Sequence, residues 1–231
     1  MQDLKTNHFS NKDLAQVVQD MHDDPRYGID NGFTQKSFEQ YPDNIDSTTI
    51  AMKIAIVDME NSTQLSRLLG EKGTRNINLK DIVSKIQTIS FDERVANGDR
   101  YLVSELSEWS SSLGLNLFSF FSKYCTYHNT YVHHKDDYSI FDNVVKEHLG
   151  DYLSLADCQE FFGINTKLRK GQTVTKLVNS KIEEMRQSRN YEQYCELIDF
   201  LLKKHSITRP NKRRELDWFI WYRNRIKPSN M

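Results

Sequence analysis

Apolar residues recur at helical spacing along most of the chain. Near the start, one helical face carries Leu14, Val17, Val18 and Met21 behind Ser10, a residue type that favours helix N-termini. Similar patterns predict helices at 78–89, 99–112, 115–127, 143–149, 151–162, 174–188, 191–205 and 211–224, and another after Asn61-Ser-Thr63. The sequence therefore predicts a mostly α protein.

The first sixty residues are patterned less clearly. Residues 23–47 hold two of the four prolines and two glycines, which predicts an irregular stretch with at most a short helix at 37–40. Residues 48–57 are apolar and β-branched, so helix and strand compete there. We therefore expect a single helical domain over 1–231, with an acidic, partly irregular region at 1–60 and a helical core at 61–231.

Composition agrees with an ordered helical protein. Of 231 residues, 38% are hydrophobic, and only nine are glycine and four proline. No stretch approaches the roughly 18 to 20 apolar residues that cross a bilayer, and the start Met-Gln-Asp-Leu-Lys lacks a secretory pattern. The lack of such an apolar stretch predicts no membrane partner. Cys125, Cys158 and Cys195 are widely spaced and form no C-x-x-C motif, which predicts buried thiols in a reducing cytoplasm.

The net charge of −1 conceals an uneven distribution of charge. Residues 1–63 carry eleven acidic and five basic side chains, whereas residues 203–231 carry nine basic and two acidic ones. A second basic stretch, residues 167–189, carries seven basic and two acidic side chains. Local potential attracts phosphates, so this basic C-terminal third favours DNA as a partner. The alternative is that these charges coat solvated helix faces.

Lys123 and Asp142 are the candidate catalytic pair. Lys123 lies within an aromatic helical stretch, a polar loop of about ten residues follows, and Asp142 then opens an apolar helix. Aromatic neighbours such as Phe120 and Tyr127 would desolvate the ammonium group and lower the pKa of Lys123, as a nucleophilic amine requires. Each residue also has a structural alternative, because Lys123 could extend its amine to solvent and Asp142 could act only as an N-cap.

The stretches Ser119-Phe-Phe-Ser-Lys-Tyr124 and Tyr138-Ser-Ile-Phe-Asp142, with the aspartate nineteen positions after the lysine, resemble the helix-hairpin-helix DNA glycosylase superfamily. They are most similar to bacterial proteins with the oxoguanine DNA glycosylase fold. The resemblance covers 100–165 best. The hairpin Leu-Pro-Gly-Val-Gly of that family is replaced here by Leu113-Gly-Leu-Asn116.

The resemblance implies a helix-hairpin-helix glycosylase fold and removal of a damaged or modified base from DNA. In that family a lysine at the position of Lys123 attacks C1′ and forms a Schiff base that can lead to strand cleavage, while an aspartate at the position of Asp142 stabilises the sugar cation. The same resemblance implies a role in bacterial antiviral defence. Aromatic and basic residues near the C-terminus are candidates for stacking the base and holding phosphates: Trp218, Trp221, Arg213, Arg214, Arg223 and Arg225.

Two other interpretations remain open. Histidines and aspartates at 128–137 could bind a metal, but their spacing fits no zinc or di-metal pattern and predicts a polar loop with no metal and no cofactor. The chain could also be a non-catalytic helical module that binds nucleic acid or protein, with Lys123 and Asp142 forming only a buried ion pair.

Overall fold

The computed structural model describes residues 6–24, 28–61, 63, 65, 77–164, 168 and 171–225. Within these ranges the chain forms twelve α-helices and no strand, so the mostly α prediction is confirmed. The helices are α1 (Asn11–Asp23), α2 (Gly28–Gln40), α3 (Ser47–Asn61), α4 (Leu79–Thr88), α5 (Phe91–Ala96), α6 (Tyr101–Ser112), α7 (Phe118–Tyr131), α8 (Asn143–His148), α9 (Leu155–Phe162), α10 (Val174–Ser188), α11 (Tyr191–Lys204) and α12 (Lys212–Arg225), with a 3₁₀ turn at Leu149–Tyr152.

Residue contacts divide the chain into two compact units. Unit 1 comprises Met1–Met21 and Phe141–Met231, and unit 2 comprises His22–Ile140. The prediction of one domain over 1–231 stays a prediction.

Capping residues begin several helices where the sequence predicts them. The Ser10 backbone N–H donates to the Asp13 carboxylate (2.8 Å), and the Asp13 N–H donates back to the Ser10 hydroxyl (3.3 Å). Asn78 and Asp81 form the same reciprocal capping box at α4. The helix predicted after Asn61-Ser-Thr63 lies largely outside the described residues.

Helix α2 corrects the prediction of an irregular stretch at 23–47. Thr34, Ser37 and Phe38 form its buried side. The Phe38 ring lies 5.4 Å from the Tyr124 ring of α7, and the Thr34 N–H donates to the Glu60 carboxylate of α3 (3.1 Å). These contacts outweigh the low helix propensity of glycine, because tertiary packing provides most of the stability of a helix.

Helix α3 resolves the competition between helix and strand at 48–57. Asp46 caps it by accepting the Thr49 N–H (2.8 Å). Ile50, Ile54 and Val57 are fully buried at positions i, i+4 and i+7, so these three β-branched residues lie on one helical face.

Helix α7 forms the centre of unit 2. Every residue from Phe120 to Asn129 is buried, which marks a helix enclosed on all sides rather than one with a single apolar stripe. Helices α2, α3, α5 and α6 pack around it. Lys123 therefore lies on a helix with no broad solvent-facing side.

Unit 1 packs α8 against α10 and α12, and the 3₁₀ turn against α10. A backbone hydrogen bond joins its N-terminal segment to the 3₁₀ turn: the Asn7 N–H donates to the Asp151 carbonyl (3.0 Å). The Phe9 ring stacks on His205 with centroids 4.1 Å apart and meets the Tyr152 ring edge to face at 5.5 Å. The segment that contains Asn7 and Phe9 thus joins the same core as the C-terminal helices.

Candidate functional site

Lys123 is buried in unit 2, with 5% of its surface exposed. Its neighbours one turn away on α7 are Phe120 and Tyr127, exposed by 2% and 3%. The predicted aromatic surround along the helix is therefore present. This burial removes most of the side chain from bulk water.

Asp142 caps α8 in unit 1 as predicted. Its backbone is extended (φ −141°, ψ 170°), and its Oδ1 accepts the Val145 N–H at 2.8 Å. The residue is partly exposed. Because the cap fixes the side-chain torsions, the carboxylate is held in one orientation at the start of the helix.

The polar connection between these residues is also present, although α7 extends to Tyr131 rather than ending at Tyr127. Asn129 holds the connection by accepting the Asp137 N–H at 2.9 Å and donating its amide to the Asp137 carboxylate at 3.1 Å. His134 adopts a left-handed backbone (φ 53°) within the turn. The order of helix, polar connection and capping aspartate therefore agrees with the order that the sequence predicts.

Lys123 and Asp142 fall in different compact units, Lys123 in unit 2 and Asp142 in unit 1. The structure describes the surroundings of each residue within its own unit. Their convergence at one site stays a prediction.

Two of the four candidate arginines, Arg213 and Arg214, are largely buried and paired with carboxylates inside unit 1. Arg213 forms an ion pair with Asp199. Arg214 lies 2.7 Å from the Asp217 carboxylate, and the side chains of this pair are only 5% and 10% exposed. The Arg214 guanidinium also lies over the Trp218 ring, 4.7 Å from its centroid. Both guanidinium groups thus have carboxylate partners within unit 1 and need no phosphate to balance their charge.

The other two arginines are more open to solvent. Arg223 lies over the Phe219 ring at 4.5 Å and 3.5 Å from Asp13, yet 51% of its side chain is exposed. Arg225 is exposed, and Trp221 is half-buried, as is Trp218. Arg223 and Arg225 are therefore the members of the predicted phosphate-binding set with the most accessible charge.

A polar cluster in unit 2 was missed by the sequence reasoning. We call it the Asn44 cluster, and it comprises Asn44, Lys53, Asp92, Tyr124 and His128. The Asn44 N–H and side-chain amide both donate to the Asp92 carboxylate, and the Tyr124 hydroxyl donates to the Asn44 side-chain carbonyl at 2.6 Å. His128 Nε2 lies 3.1 Å from Asp92 Oδ1, although the two are not aligned as a hydrogen bond. One signal was available, because His128 follows Tyr124 by one helical turn within an aromatic helix.

Burial sets the ionisation of this cluster. It lowers the pKa of Lys53 to about 8, against the attraction of Asp92 and Asp43. It would raise the pKa of Asp92, but contacts with His128 and Asn44 outweigh it and lower that pKa to about 2. Burial also lowers the pKa of His128, more than the Asp92 charge raises it. The cluster thus holds a carboxylate that stays ionised beside a histidine that resists protonation.

The remaining features concern metal binding, the three cysteines and membrane-spanning helices. Within the described ranges, no group of three or more His, Cys, Asp or Glu side chains is placed to hold a metal ion. Cys125, Cys158 and Cys195 are buried thiols rather than disulfide halves. Among the described helices, none is long and apolar enough to cross a membrane.

A cleft of about 330 Å³ lies in unit 1. Its walls come from the end of α9, from α10 and from α11, and it is lined by Phe162, Lys181, Glu184, Met185, Ser188 and Gln193. The predicted catalytic and phosphate-binding residues belong to other elements.

The described residues thus define a helical protein whose candidate residues lie on a buried central helix, at a capped helix start and on a C-terminal basic helix. Residues 7–135 match the model of the family described as HI_0787_N, an N-terminal domain. Because this match covers more than half of the chain, the chain belongs to that family. No curated protein and no solved structure matches the chain.

Proposed function

We propose that this protein is a DNA glycosylase-like enzyme that removes a damaged or modified base, with Lys123 as nucleophile and Asp142 as its electrostatic partner. The observation that carries the proposal is the local order of elements: a buried aromatic helix bearing Lys123, a polar connection, and an aspartate that caps the next helix. This is the arrangement on which the resemblance to the glycosylase superfamily rests. An antiviral role belongs to the proposal through that resemblance alone.

The chemistry follows from the two residue types. A neutral Lys123 amine attacks C1′ of an extruded nucleotide, and the electrons of the N-glycosidic bond leave with the base, which takes up a proton. The ionised carboxylate of Asp142 stabilises the positive charge that develops on the sugar. The lysine nitrogen, now bonded to C1′, loses a proton to water and expels the ring oxygen, which is protonated, so that a Schiff base forms. A C2′ proton is then lost to water and the 3′ phosphate is eliminated, which cleaves the strand.

Borohydride trapping tests the role of Lys123. The full chain is incubated with duplex and single-stranded oligonucleotides that carry an abasic site or 8-oxoguanine, and borohydride reduces any Schiff base to a stable adduct. We expect a covalent protein–DNA adduct with the wild type and none with Lys123→Gln, because glutamine cannot form the imine. Gel mobility and mass spectrometry of the adduct measure the outcome.

The control for this experiment is Lys53→Met. Lys53 and Lys123 are the buried lysines among the described residues, and burial lowers the pKa of Lys53 to about 8. Trapping should survive in Lys53→Met once circular dichroism shows that the variant is folded. An adduct that persists in Lys123→Gln and disappears in Lys53→Met would contradict the proposal, because it would identify Lys53 as the nucleophile.

Asp142→Asn separates the charge of this residue from its capping role. Asparagine caps helices about as well as aspartate, so the free energy of unfolding should change by less than about 0.5 kcal/mol. Base release should nevertheless fall by about a hundredfold, because the developing cation loses its carboxylate. Thermal unfolding and single-turnover base release check the two effects. Equal activity of Asp142→Asn and wild type would remove Asp142 from the mechanism.

A second candidate is a non-catalytic helical module that binds nucleic acid. It is favoured by the 5% exposure of Lys123 and by the pairing of Arg213 and Arg214 with carboxylates of unit 1. Such a module gives no borohydride adduct with any oligonucleotide. It still retards DNA in a gel, and the double change Arg223→Gln and Arg225→Gln then weakens that binding and its dependence on salt.

A further inference from the structure

His128 lies at the centre of unit 2 with no exposed surface. The rings of Phe38 on α2 and Phe91 on α5 meet it edge to face, with centroids 6.1 Å and 5.5 Å away. Its ring nitrogens face Asn44, 3.5 Å from Nδ1, and Asp92, 3.1 Å from Nε2. A charge placed on this ring therefore has to be stabilised by the Asn44 cluster rather than by water.

Asn44 determines which form of His128 the cluster accepts. Its side-chain carbonyl accepts from the Tyr124 hydroxyl at 2.6 Å, and its amide nitrogen donates to the Asp92 carboxylate. Turning the amide over would place its oxygen against that carboxylate, which can only accept, so the contact with Asp92 fixes the orientation. The same nitrogen lies 3.5 Å from His128 Nδ1. An amide N–H thus faces the ring nitrogen that protonation would turn into another donor.

The remaining charged neighbours of His128 are mixed in sign. Asp92 on α5 favours a positive ring, whereas Lys53 on α3 and a protonated His133 oppose it. The His133 ring lies 5.1 Å from the His128 ring, edge to face, and has Lys135 and His134 nearby. On α6, the Glu105 carboxylate is bound by Arg94 (2.6 Å). The Asp92 carboxylate thus faces several potential positive charges.

We propose that His128, with His133 beside it, is an acid-sensitive element of unit 2, whose protonation breaks the Asn44 cluster and opens the packing of α5 and α7. Three geometric features support this role: the His128 ring is fully buried, the Asn44 amide beside it has a fixed orientation, and the His133 ring is in contact with it. Acidification converts both rings to cations that this arrangement cannot hold.

The direction of the pH dependence follows from linkage. Burial lowers the pKa of His128 and of His133 in the folded state, below the ordinary value of 6.5. The unfolded or opened state therefore binds more protons as the pH falls below about 6.5, and stability is lost in that direction. The opening equilibrium constant should rise by up to about tenfold per pH unit for each histidine.

Hydrogen exchange of the full chain between pH 7.5 and 5 tests the proposal. We expect the opening constant, corrected for intrinsic exchange, to rise with acidification in peptides from α5 and α7 and not in peptides from α11 of unit 1. His128→Gln keeps a side-chain amide near Asp92 but cannot titrate, so its rise should be about tenfold smaller per pH unit. His22→Gln is the control, because the His22 side chain is 82% exposed, and it should behave like the wild type.

Two results would overturn the proposal: a pH dependence in His128→Gln equal to that of the wild type, or an equal acid-induced rise in both units. If His128→Gln fails to fold, the histidine ring signals of the wild type decide the question by NMR titration. A His128 ring still neutral at pH 6 supports the proposal, and one that titrates near 6.5 contradicts it.

Discussion

Replacing Gly150 by alanine is expected to destabilise unit 1 by about 3 kcal/mol, the upper end of the usual cost of overpacking a close contact. Gly150 lies in the buried 3₁₀ turn that follows α8 and packs against α10. A Cβ atom added there would lie 2.6 Å from the Thr175 Cα atom and 3.0 Å from the Val178 Cβ atom. The nearer atom belongs to helix backbone, so rotation of a side chain cannot relieve the clash.

Urea unfolding followed by circular dichroism measures this effect, and Gly32→Ala provides the control. Gly32 lies within α2, and an added Cβ there meets nothing within 4 Å. Alanine should therefore stabilise α2 by up to about 1 kcal/mol, because it is the better helix former. If Gly150→Ala unfolds at the wild-type urea concentration, the 3₁₀ turn and α10 do not approach as closely as described.

The same contact matters for the proposed chemistry. Helix α8, which Asp142 caps, ends directly before the turn that contains Gly150. Separating the turn from α10 would move α8, which the turn follows directly. The Asp142 carboxylate that caps α8 would then point in a different direction. Gly150→Ala should therefore reduce base release even where the variant remains folded.

Local signals in the sequence predicted most of the helices. Ser10, Asn78 and Asp142 each stand before an apolar pattern of helical period, and each caps a helix in the structure. Capping and periodicity involve residues only a few positions apart, so the sequence displays both partners of the interaction. This is why the mostly α class and the start of α8 could be predicted.

Helix α2 could not be predicted in this way. Its glycines lower local helix propensity, and its stability comes from contacts such as that of Phe38 with Tyr124, residues far apart in sequence. The burial of α7 on all sides has the same origin, because several helices surround it. Periodicity indicates an apolar face, but it does not indicate how many neighbours cover a helix.

The Asn44 cluster depends on even longer separations. Asn44 and Asp92 are 48 positions apart, and Asn44 and His128 are 84 apart. No spacing rule connects such residues. The arginines of α12 show the same limit in a different form, since composition revealed their charge but not the partners, Asp199 and Asp13, that engage Arg213 and Arg223.

Unit 2 is expected to gain about 2 kcal/mol of stability between pH 8 and pH 10 through Lys53 alone. The Lys53 side chain is fully buried, and its Nζ donates to the Tyr41 carbonyl at 3.0 Å and the Asp43 carbonyl at 2.8 Å. Burial lowers its pKa to about 8 from an ordinary 10.5. Between these values the folded state has lost the proton and the unfolded state still holds it, so stability rises with pH by up to about 1.4 kcal/mol per unit.

The difference between wild type and Lys53→Met isolates this effect from the titration of other groups. Methionine keeps most of the buried stem and removes the amine, so the gain between pH 8 and pH 10 should disappear, whatever the change in stability at pH 7. Lys36→Met, at an exposed position of α2, should retain the gain. Urea unfolding of the three proteins at pH 8, 9 and 10 gives the comparison. Parallel curves for wild type and Lys53→Met would mean that the Lys53 amine stays charged throughout this range, with its two carbonyl partners sufficient to hold the buried ammonium.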